Sequence, residues 1–124
     1  IYLVDTAGKL GASLELTAKD IPADFPRDGT WGPLFRPDSI TSLRWNNESY
    51  LAASLKACGA VGLWKVSDVR EGSFVQAIKV GAKESSDATK ESSVGTEGIS
   101  ATDSGLILTA NELESSVSLV APLP

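Results

Sequence analysis

A short apolar run recurs along this chain at nearly constant spacing. The run VGLW at 61–64 is followed 56 positions later (61 to 117) by VSLV at 117–120. A similar run, IYLV at 1–4, begins 60 positions before it (1 to 61). Self-similarity at a fixed spacing indicates a repeated structural unit that buries its apolar face only against its neighbours. This recurrence limits the fold more than any other feature of the sequence.

The local pattern predicts an all-β fold. Short runs rich in Val, Ile, Leu and aromatic residues alternate with clusters of Gly, Asp, Asn and Ser, which is the pattern of strands and turns. Strands are predicted at 1–5, 10–16, 39–45, 50–55, 60–66, 73–80, 98–101, 106–110 and 116–121. The best helical stretch, 50–57, is followed at once by Gly59 and Gly62, so only a short helical turn within 17–30 or 83–92 is expected.

Each later copy of the recurring run has matching runs before it. The matched segments are 38–40 with 97–99, and 47–52 with 103–108, while an outer run follows the first two copies at 10–16 and 74–80. A unit therefore has four strands. The chain is predicted to hold the outer strands of one unit in 1–16, a complete unit in 38–80 and the inner three strands of the next in 97–121.

Stacked units of four antiparallel strands are the blades of a β-propeller. The long connections 17–37 and 81–96 join an outer strand to the next inner one, so both would emerge on one face. A β-sandwich or a small barrel is the alternative fold. Two isolated blades would expose the flanks of Trp64, Phe74 and Leu119, so the missing cover is expected from other protein chains or from the remainder of a longer polypeptide.

The matching apolar positions of the units also predict the core. Nine side chains are expected to be buried: Ile40, Leu51, Val61, Leu63, Ile78, Ile99, Ile107, Leu108 and Val117. Cys58 is expected to be a small buried hydrophobe, with a reactive or intermolecular thiol as the alternative.

Composition narrows the classes of function. The formal charge of −5 argues against nucleic acid and anionic lipid as partners, because both attract cationic surfaces. No apolar run is long enough to span a bilayer. The chain has no histidine, which excludes a Ser-His-Asp or Cys-His nucleophile and a histidine zinc site within this sequence.

Two acidic residues are candidate metal ligands. Asp38 and Glu97 stand at matching positions, at the entry to the innermost strand of their units, so a propeller would bring both carboxylates near its axis. Such carboxylates could hold Ca²⁺ or polarise a metal-bound water. The alternative is that each accepts backbone N–H bonds in a turn. Glu112, beside Asn111, is a weaker candidate.

Two further features indicate contact with other molecules. The connection 17–37 carries Phe25, Trp31, Leu34 and Phe35 among several prolines, a composition suited to a partner-binding surface; the alternative is that these side chains pack on the strands. Asn47 begins the triplet Asn-Glu-Ser, an N-glycosylation sequon in a predicted exposed turn.

Two segments resemble known propeller families. Residues 97–119, with Glu-Gly-Ile, Asp-Ser-Gly, LILTANE and SVSL, are similar to the "PEGI…DG…LLVANE…TVSV" blade of YVTN-type propellers. Residues 36–64 resemble the "EPEYI…DG…YVTLQE" blade of the extracellular choice-of-anchor I propellers, and IPADFP at 21–26 resembles the linker before it. Asp38 stands where that blade has Glu. The resemblance implies a propeller of several blades and an extracellular or cell-surface location.

Two functions follow from these patterns. The first is a non-enzymatic binding or structural module, a propeller segment that mediates protein interaction within a larger extracellular assembly. The alternative is a metal-dependent hydrolase of phosphate esters or lactones, with carboxylates at the axis. The lack of histidine and of a nucleophile motif favours the first, in which no cofactor beyond a Ca²⁺ ion is expected.

Overall fold

The computed structural model describes residues 1–4, 6–17, 19–25, 37–68, 71–81, 92 and 94–122. Within these ranges the chain is all-β and contains no helix. The strands are β1 (Tyr2–Val4), β2 (Leu10–Ser13), β3 (Pro37–Trp45), β4 (Glu48–Leu55), β5 (Ala60–Asp68), β6 (Glu71–Lys79), β7 (Thr96–Ala101), β8 (Ile107–Asn111) and β9 (Ser116–Val120). Each lies where the sequence predicts a strand.

The strands form three antiparallel sheets of consecutive strands. Sheet I contains β1 and β2, sheet II contains β3 to β6 in order, and sheet III contains β7 to β9 in order. The four strands predicted between 38 and 80 thus form one sheet. The stretch 50–57, the best helical candidate, instead contributes to β4 and the turn after it, because its apolar residues can be buried on both faces of a central strand.

Sheets II and III contain hairpins of the same construction. Leu55 pairs with Ala60 across a four-residue turn in sheet II, and Asn111 pairs with Ser116 across a four-residue turn in sheet III. The last turn residue has a positive φ in both, 61° at Gly59 and 53° at Ser115. Glycine adopts this conformation at no steric cost, whereas Ser115 must be held there by the rest of the turn.

Sheet III packs against one face of sheet II. The core between them contains Leu43, Tyr50, Ala52, Val61, Leu63, Val80, Val94 and Ile107. Strand β7 lies beside β3 and β4. Val61 and Leu63 come from the central strand β5 and are fully buried in this layer.

Sheet I covers part of the opposite face of sheet II. Leu14 and Trp64 are buried there with Ala53, and the Leu14 side chain lies against Gly72 of β6. Gly62 is needed beneath the indole, because a Cβ at this position would lie 2.9 Å from the Trp64 ring. Sheet I and the residues after it therefore pack on β4, β5 and β6 and do not cover this face of β3.

Next to sheet I, the chain after β2 extends the cover. Ile21 and Phe25 are buried against Leu55, Cys58 and Ala60. Cys58 is fully buried, as expected for a small hydrophobe.

Three expectations about burial are wrong. Ile40 is 54% exposed and Val117 is 72% exposed, because sheet I does not reach β3 and no described element lies on the outer side of β9. Trp64 was expected to have an uncovered flank, but Leu14 and Phe74 enclose it and it is buried. Phe74 is half-buried, and Leu119 is exposed as expected.

The other predicted core residues follow the expectation in part. Val61, Leu63 and Ile107 are fully buried. The remaining members are half-buried: Leu51, Ile78, Ile99 and Leu108.

Candidate functional site

Four charged side chains meet at one end of sheets II and III. Asp38 and Glu97 lie at the starts of β3 and β7. Lys56 and Glu112 follow the ends of β4 and β8, which pair with those strands. The register places Pro37 opposite Leu55 and Thr96 opposite Asn111. Asp38 and Lys56 in sheet II therefore correspond in position to Glu97 and Glu112 in sheet III.

Lys56 is at the centre of this group. Its ammonium donates a hydrogen bond to Glu97 Oε1, and its Nζ lies 3.9 Å from Glu112 Oε2. The Asp38 carboxylate is near enough to act electrostatically on both Lys56 and Glu112. The hydrogen bond to Glu97 is the main reason why the pKa of Lys56 is raised. The Lys56 side chain therefore stays cationic across the neutral pH range.

The two glutamates of the group shift each other's pKa in opposite directions. The bond from Lys56, followed by the bond with Glu112, lowers the pKa of Glu97. The bond to Glu97 and the repulsion between the two carboxylates raise the pKa of Glu112. Lys56 and the repulsion between the two carboxylates thus separate the two pKa values, so that Glu97 loses its proton more readily than Glu112.

The structure thus brings the two predicted metal ligands to the same end of the sheets. The Lys56 ammonium already forms an ion pair with the Glu97 carboxylate. Among the residues that the structure describes, no group of three or more Asp, Glu, Cys or His side chains is arranged to hold a metal ion. Metal binding by Asp38 and Glu97 stays a prediction, and a cation would have to displace Lys56 from Glu97.

A buried hydroxyl ties the two sheets together beside this group. Ser54 Oγ donates to the Glu97 carbonyl oxygen at 2.6 Å, and it accepts a hydrogen bond from the Ser39 N–H at 3.0 Å. Ser54 is fully buried. A buried hydroxyl with partners on both sides fixes the position of β7 against β3 and β4.

Asn111 has a structural role. Its amide accepts a bond from Thr109 Oγ1 at 3.1 Å and donates to Ser116 Oγ at 3.1 Å and Ser118 Oγ at 2.8 Å. The side chain is buried. With its amide engaged in this way, Asn111 stabilises the β8–β9 hairpin.

The predicted partner-binding residues have different outcomes. Phe25 is buried in the chain's own core, with Lys79 Nζ 5.3 Å from the centre of its ring, which is the packing alternative that the sequence left open. Trp31, Leu34 and Phe35 lie outside the described residues.

Asn47 lies in an exposed turn, as predicted. Asn46 and Asn47 form the two-residue connection between β3 and β4, with φ of 52° and 62°. Positive φ at both positions is the geometry of a type I′ turn, which asparagine tolerates. Glycosylation of Asn47 stays a prediction.

One face of sheet III is apolar and is not covered by any described element; we call it the outer face. Strand pairing places Leu108 beside Leu119 and Ala110 beside Val117, on the side away from the buried Ile107 and Thr109. The outer face consists of Gly98, Ser100, Leu108, Ala110, Val117 and Leu119. Val117 is 72% exposed and Leu119 is 60% exposed. No charged side chain belongs to this set.

A groove follows the edge of β9 that faces away from β8. It has a volume of about 770 Å³ and is lined by Ser116–Val120, by Lys79–Gly81 and by Leu113 and Glu114. Successive residues of a strand point to opposite faces, so a cavity that touches all five residues of β9 lies along the edge of the strand. We call it the edge groove.

Sequence reasoning missed Lys56, Ser54 and the edge groove. Lys56 lies 56 positions before Glu112, the spacing that relates the recurring runs, so aligning the units would have placed it in the group. No comparable signal exists for the groove, which depends on which strand lies next to β9.

Comparison with known proteins gives no match to a family model, a curated protein or a solved structure. In the described ranges no helix is long and apolar enough to cross a bilayer.

Proposed function

We propose that the chain is a non-enzymatic binding and structural module, a β-propeller segment that works within a larger extracellular or cell-surface assembly. Its outer face is the surface that another antiparallel β-sheet of the same construction covers. The sheets would then stack as successive blades, with each apolar face buried by the next sheet.

One observation carries this proposal. Val61 and Leu63 of β5 are fully buried because sheet III covers them, while Val117 and Leu119 of β9 are 72% and 60% exposed. These residues stand at corresponding positions, because each pair follows the same four-residue turn in its sheet. The outer face of sheet III therefore carries residue types like those on the face of sheet II that sheet III covers. The difference is that no described element covers the outer face.

The occupant can be described from the sheet that covers sheet II. There, the inner strand β7 crosses beside β3 and β4, and Ile99 and Ala101 of β7 pack into the core. A cover for the outer face would present small and aliphatic residues in the same way. The absence of charge on the outer face fits an apolar sheet better than a charged ligand.

Sheet order and sequence resemblance support a propeller. Three sheets of consecutive antiparallel strands lie in the order in which blades follow each other along a propeller chain. The segments that resemble extracellular propellers include both hairpins of like construction. The exposed sequon at Asn47 is in keeping with an extracellular location.

Self-association tests the proposal, because an uncovered apolar face should find cover in concentrated solution. We expect sedimentation velocity to show that the wild-type chain associates as its concentration rises. The double variant Val117→Lys, Leu119→Lys should remain a monomer of 13.0 kDa, because two charges would be buried without partners.

The matched control is Val75→Lys, which changes an exposed apolar residue of β6 outside the outer face and should associate like wild type. A wild-type chain that stays monomeric and unfolds cooperatively at every concentration would overturn the proposal and favour a closed sandwich or barrel.

A further inference from the structure

A cleft lies between sheets II and III, at the end of the two sheets opposite to Lys56. One wall is formed by the end of β3 and the start of β4, with Ser42–Arg44, Ser49 and Tyr50. The other wall is formed by the end of β7 and the turn after it, with Ala101–Asp103. The cleft has a volume of about 430 Å³, within the range of small-molecule sites, roughly 300–1,000 Å³. We call it the end cleft.

The turn after β7 holds the two walls of the end cleft against each other. Gly105 of this turn has a φ of 87°, and a Cβ at this position would lie 3.1 Å from the Arg44 carbonyl oxygen. The turn is closed by backbone bonds from the Thr102 N–H to the Leu106 oxygen at 2.8 Å and from the Gly105 N–H to the Thr102 oxygen at 3.1 Å. The end cleft is therefore formed before a ligand binds, which lowers the entropic cost of binding.

Arg44 is an oriented cation on the first wall. Its Nη2 donates to the Asn47 carbonyl oxygen at 3.0 Å, and its Nη1 donates to Ser49 Oγ at 3.4 Å. These bonds orient the guanidinium without neutralising it, because the ion pairs among the described residues are formed by Lys56 and Lys65. A guanidinium has more N–H donors than these two bonds use, so Arg44 can still bind a carboxylate.

Asp103 is an anion on the opposite wall. An aspartate in a turn commonly accepts a bond from the backbone of that turn. Here Thr102 Oγ1 does so instead, since it accepts from the Leu106 N–H at 3.1 Å and bonds with Ser104 Oγ at 3.0 Å. Within the described ranges the Asp103 carboxylate makes no hydrogen bond or ion pair. It is therefore available to a ligand.

The end cleft also has apolar lining. Leu43 and Tyr50 are buried, and they line the cleft together with Ala101. The Tyr50 ring lies 5.6 Å from the Trp45 ring between centres, and its hydroxyl donates to Glu48 Oε2 at 3.2 Å. The lining therefore combines one cation and one anion with fixed aliphatic and aromatic surface.

From these observations we infer that the end cleft binds a free α-amino acid with an aliphatic side chain. Its carboxylate would pair with Arg44, its ammonium group would pair with Asp103, and its side chain would lie against Leu43 and Tyr50. A zwitterion pairs both charges of the cleft at once, whereas a neutral sugar would displace water from both charges without supplying a counter-charge. This inference does not depend on the outer face and adds a small-molecule site to the proposed binding module.

The probe for this inference is L-leucine, titrated into the full chain at protein concentrations where it is monomeric. We expect amide chemical shifts to change in 42–50 and 101–106, with a Kd in the millimolar range that rises with added salt, because both charged side chains are exposed. N-acetyl-L-leucine lacks the ammonium group and L-leucinamide lacks the carboxylate, so each should bind about tenfold more weakly. No shift in the two segments with L-leucine, or equal shifts with methyl glucoside, would overturn the inference.

Two variants assign the two ionic contacts. Asp103→Asn should weaken binding of L-leucine about tenfold without weakening that of N-acetyl-L-leucine, which has no ammonium group. Arg44→Gln should weaken L-leucine by a similar factor without weakening L-leucinamide. The matched controls are Glu71→Gln and Lys19→Gln, which change exposed charges outside the cleft and should bind L-leucine like wild type. The amide spectrum of each variant away from the substitution should match that of wild type, which shows that the variant is folded. If Asp103→Asn weakens both ligands equally, or neither, the inference falls.

Discussion

Strands β5 and β9 place similar residues at corresponding positions in opposite surroundings. Val61 and Leu63 are fully buried, while Val117 and Leu119 are largely exposed. Both pairs lie in the third strand of a meander after a turn of the same length. The difference lies in the neighbouring sheet, since sheet III covers β5 and no described element covers β9.

Two isoleucines, Ile40 of β3 and Ile99 of β7, differ in exposure for the same reason, on the opposite side of the sheets. Ile40 of β3 pairs with Ala53, and Ile99 of β7 pairs with Thr109. Ile40 is 54% exposed, whereas Ile99 is half-buried against sheet II. Sheet I has only two strands and does not extend over β3. An apolar residue in such a meander is buried only when the next sheet is complete at that place.

The largest predicted effect compares the two leucines directly. Leu63→Ala removes a fully buried side chain and should lower the free energy of unfolding by about 2–5 kcal/mol. Leu119→Ala, at the corresponding position, should change it by no more than about 0.5 kcal/mol in the monomeric chain. Chemical denaturation at low protein concentration measures both. Equal losses would mean that β9 is covered in the isolated chain.

A smaller effect is expected at the hydroxyl that joins the sheets. Ser54→Ala leaves the Ser39 N–H and the Glu97 carbonyl without this partner and should cost about 1–3 kcal/mol in unfolding free energy. Ala110→Ser is the matched control, because Ala110 is the corresponding residue on the exposed outer face and should tolerate a hydroxyl. A neutral Ser54→Ala would show that the link between β4 and β7 does not stabilise the packing of the two sheets.

The charged group should respond to pH in two opposite ways. The lowered pKa of Glu97 means that its contribution to stability is present above the ordinary carboxyl pKa and is lost as pH falls through the lowered value. The raised pKa of Glu112 means that its contribution is present below the ordinary carboxyl pKa and is lost as pH rises through the raised value. A carboxyl NMR titration should place Glu97 below Glu112.

Lys56→Met should raise the pKa of both carboxyl groups, because the ammonium favours the ionised form of each. The control is Lys65→Met, which removes the 2.7 Å ion pair with Glu48. It should raise the pKa of Glu48, which Lys65 lowers by a hydrogen bond, and leave Glu97 unchanged. If Lys56→Met does not move the pKa of Glu97, the two sheets do not meet through this group.

The positions of the strands could be predicted from the sequence because each strand is a short alternating run between turn residues. It also placed Asp38 and Glu97 at one end, because matching positions of matching hairpins meet when the hairpins stack. The local pattern around Lys56 did not indicate that it joins them, since a lysine in a turn is usually solvated and its partner Glu97 lies 41 residues away. Its spacing of 56 positions from Glu112 was the signal in the sequence that could have placed it there.

The exposure of Ile40 and Val117 could not be predicted from the sequence. Alternation shows to which face of a strand a side chain belongs, but not whether another sheet lies on that face. That depends on contacts between strands distant in the chain, which a local pattern does not encode.

The accessibility of position 119 tests the central claim most directly. Leu119→Cys and, as its control, Val75→Cys would be alkylated over a range of protein concentrations, with the buried Cys58 expected to stay unreactive in both. We predict that the thiol at position 119 reacts quickly in dilute solution and slows as the chains associate and cover the outer face, while the thiol at position 75 keeps its rate. A thiol at position 119 that reacts equally fast in monomer and associated chain would contradict the claim that the outer face is the surface another sheet covers.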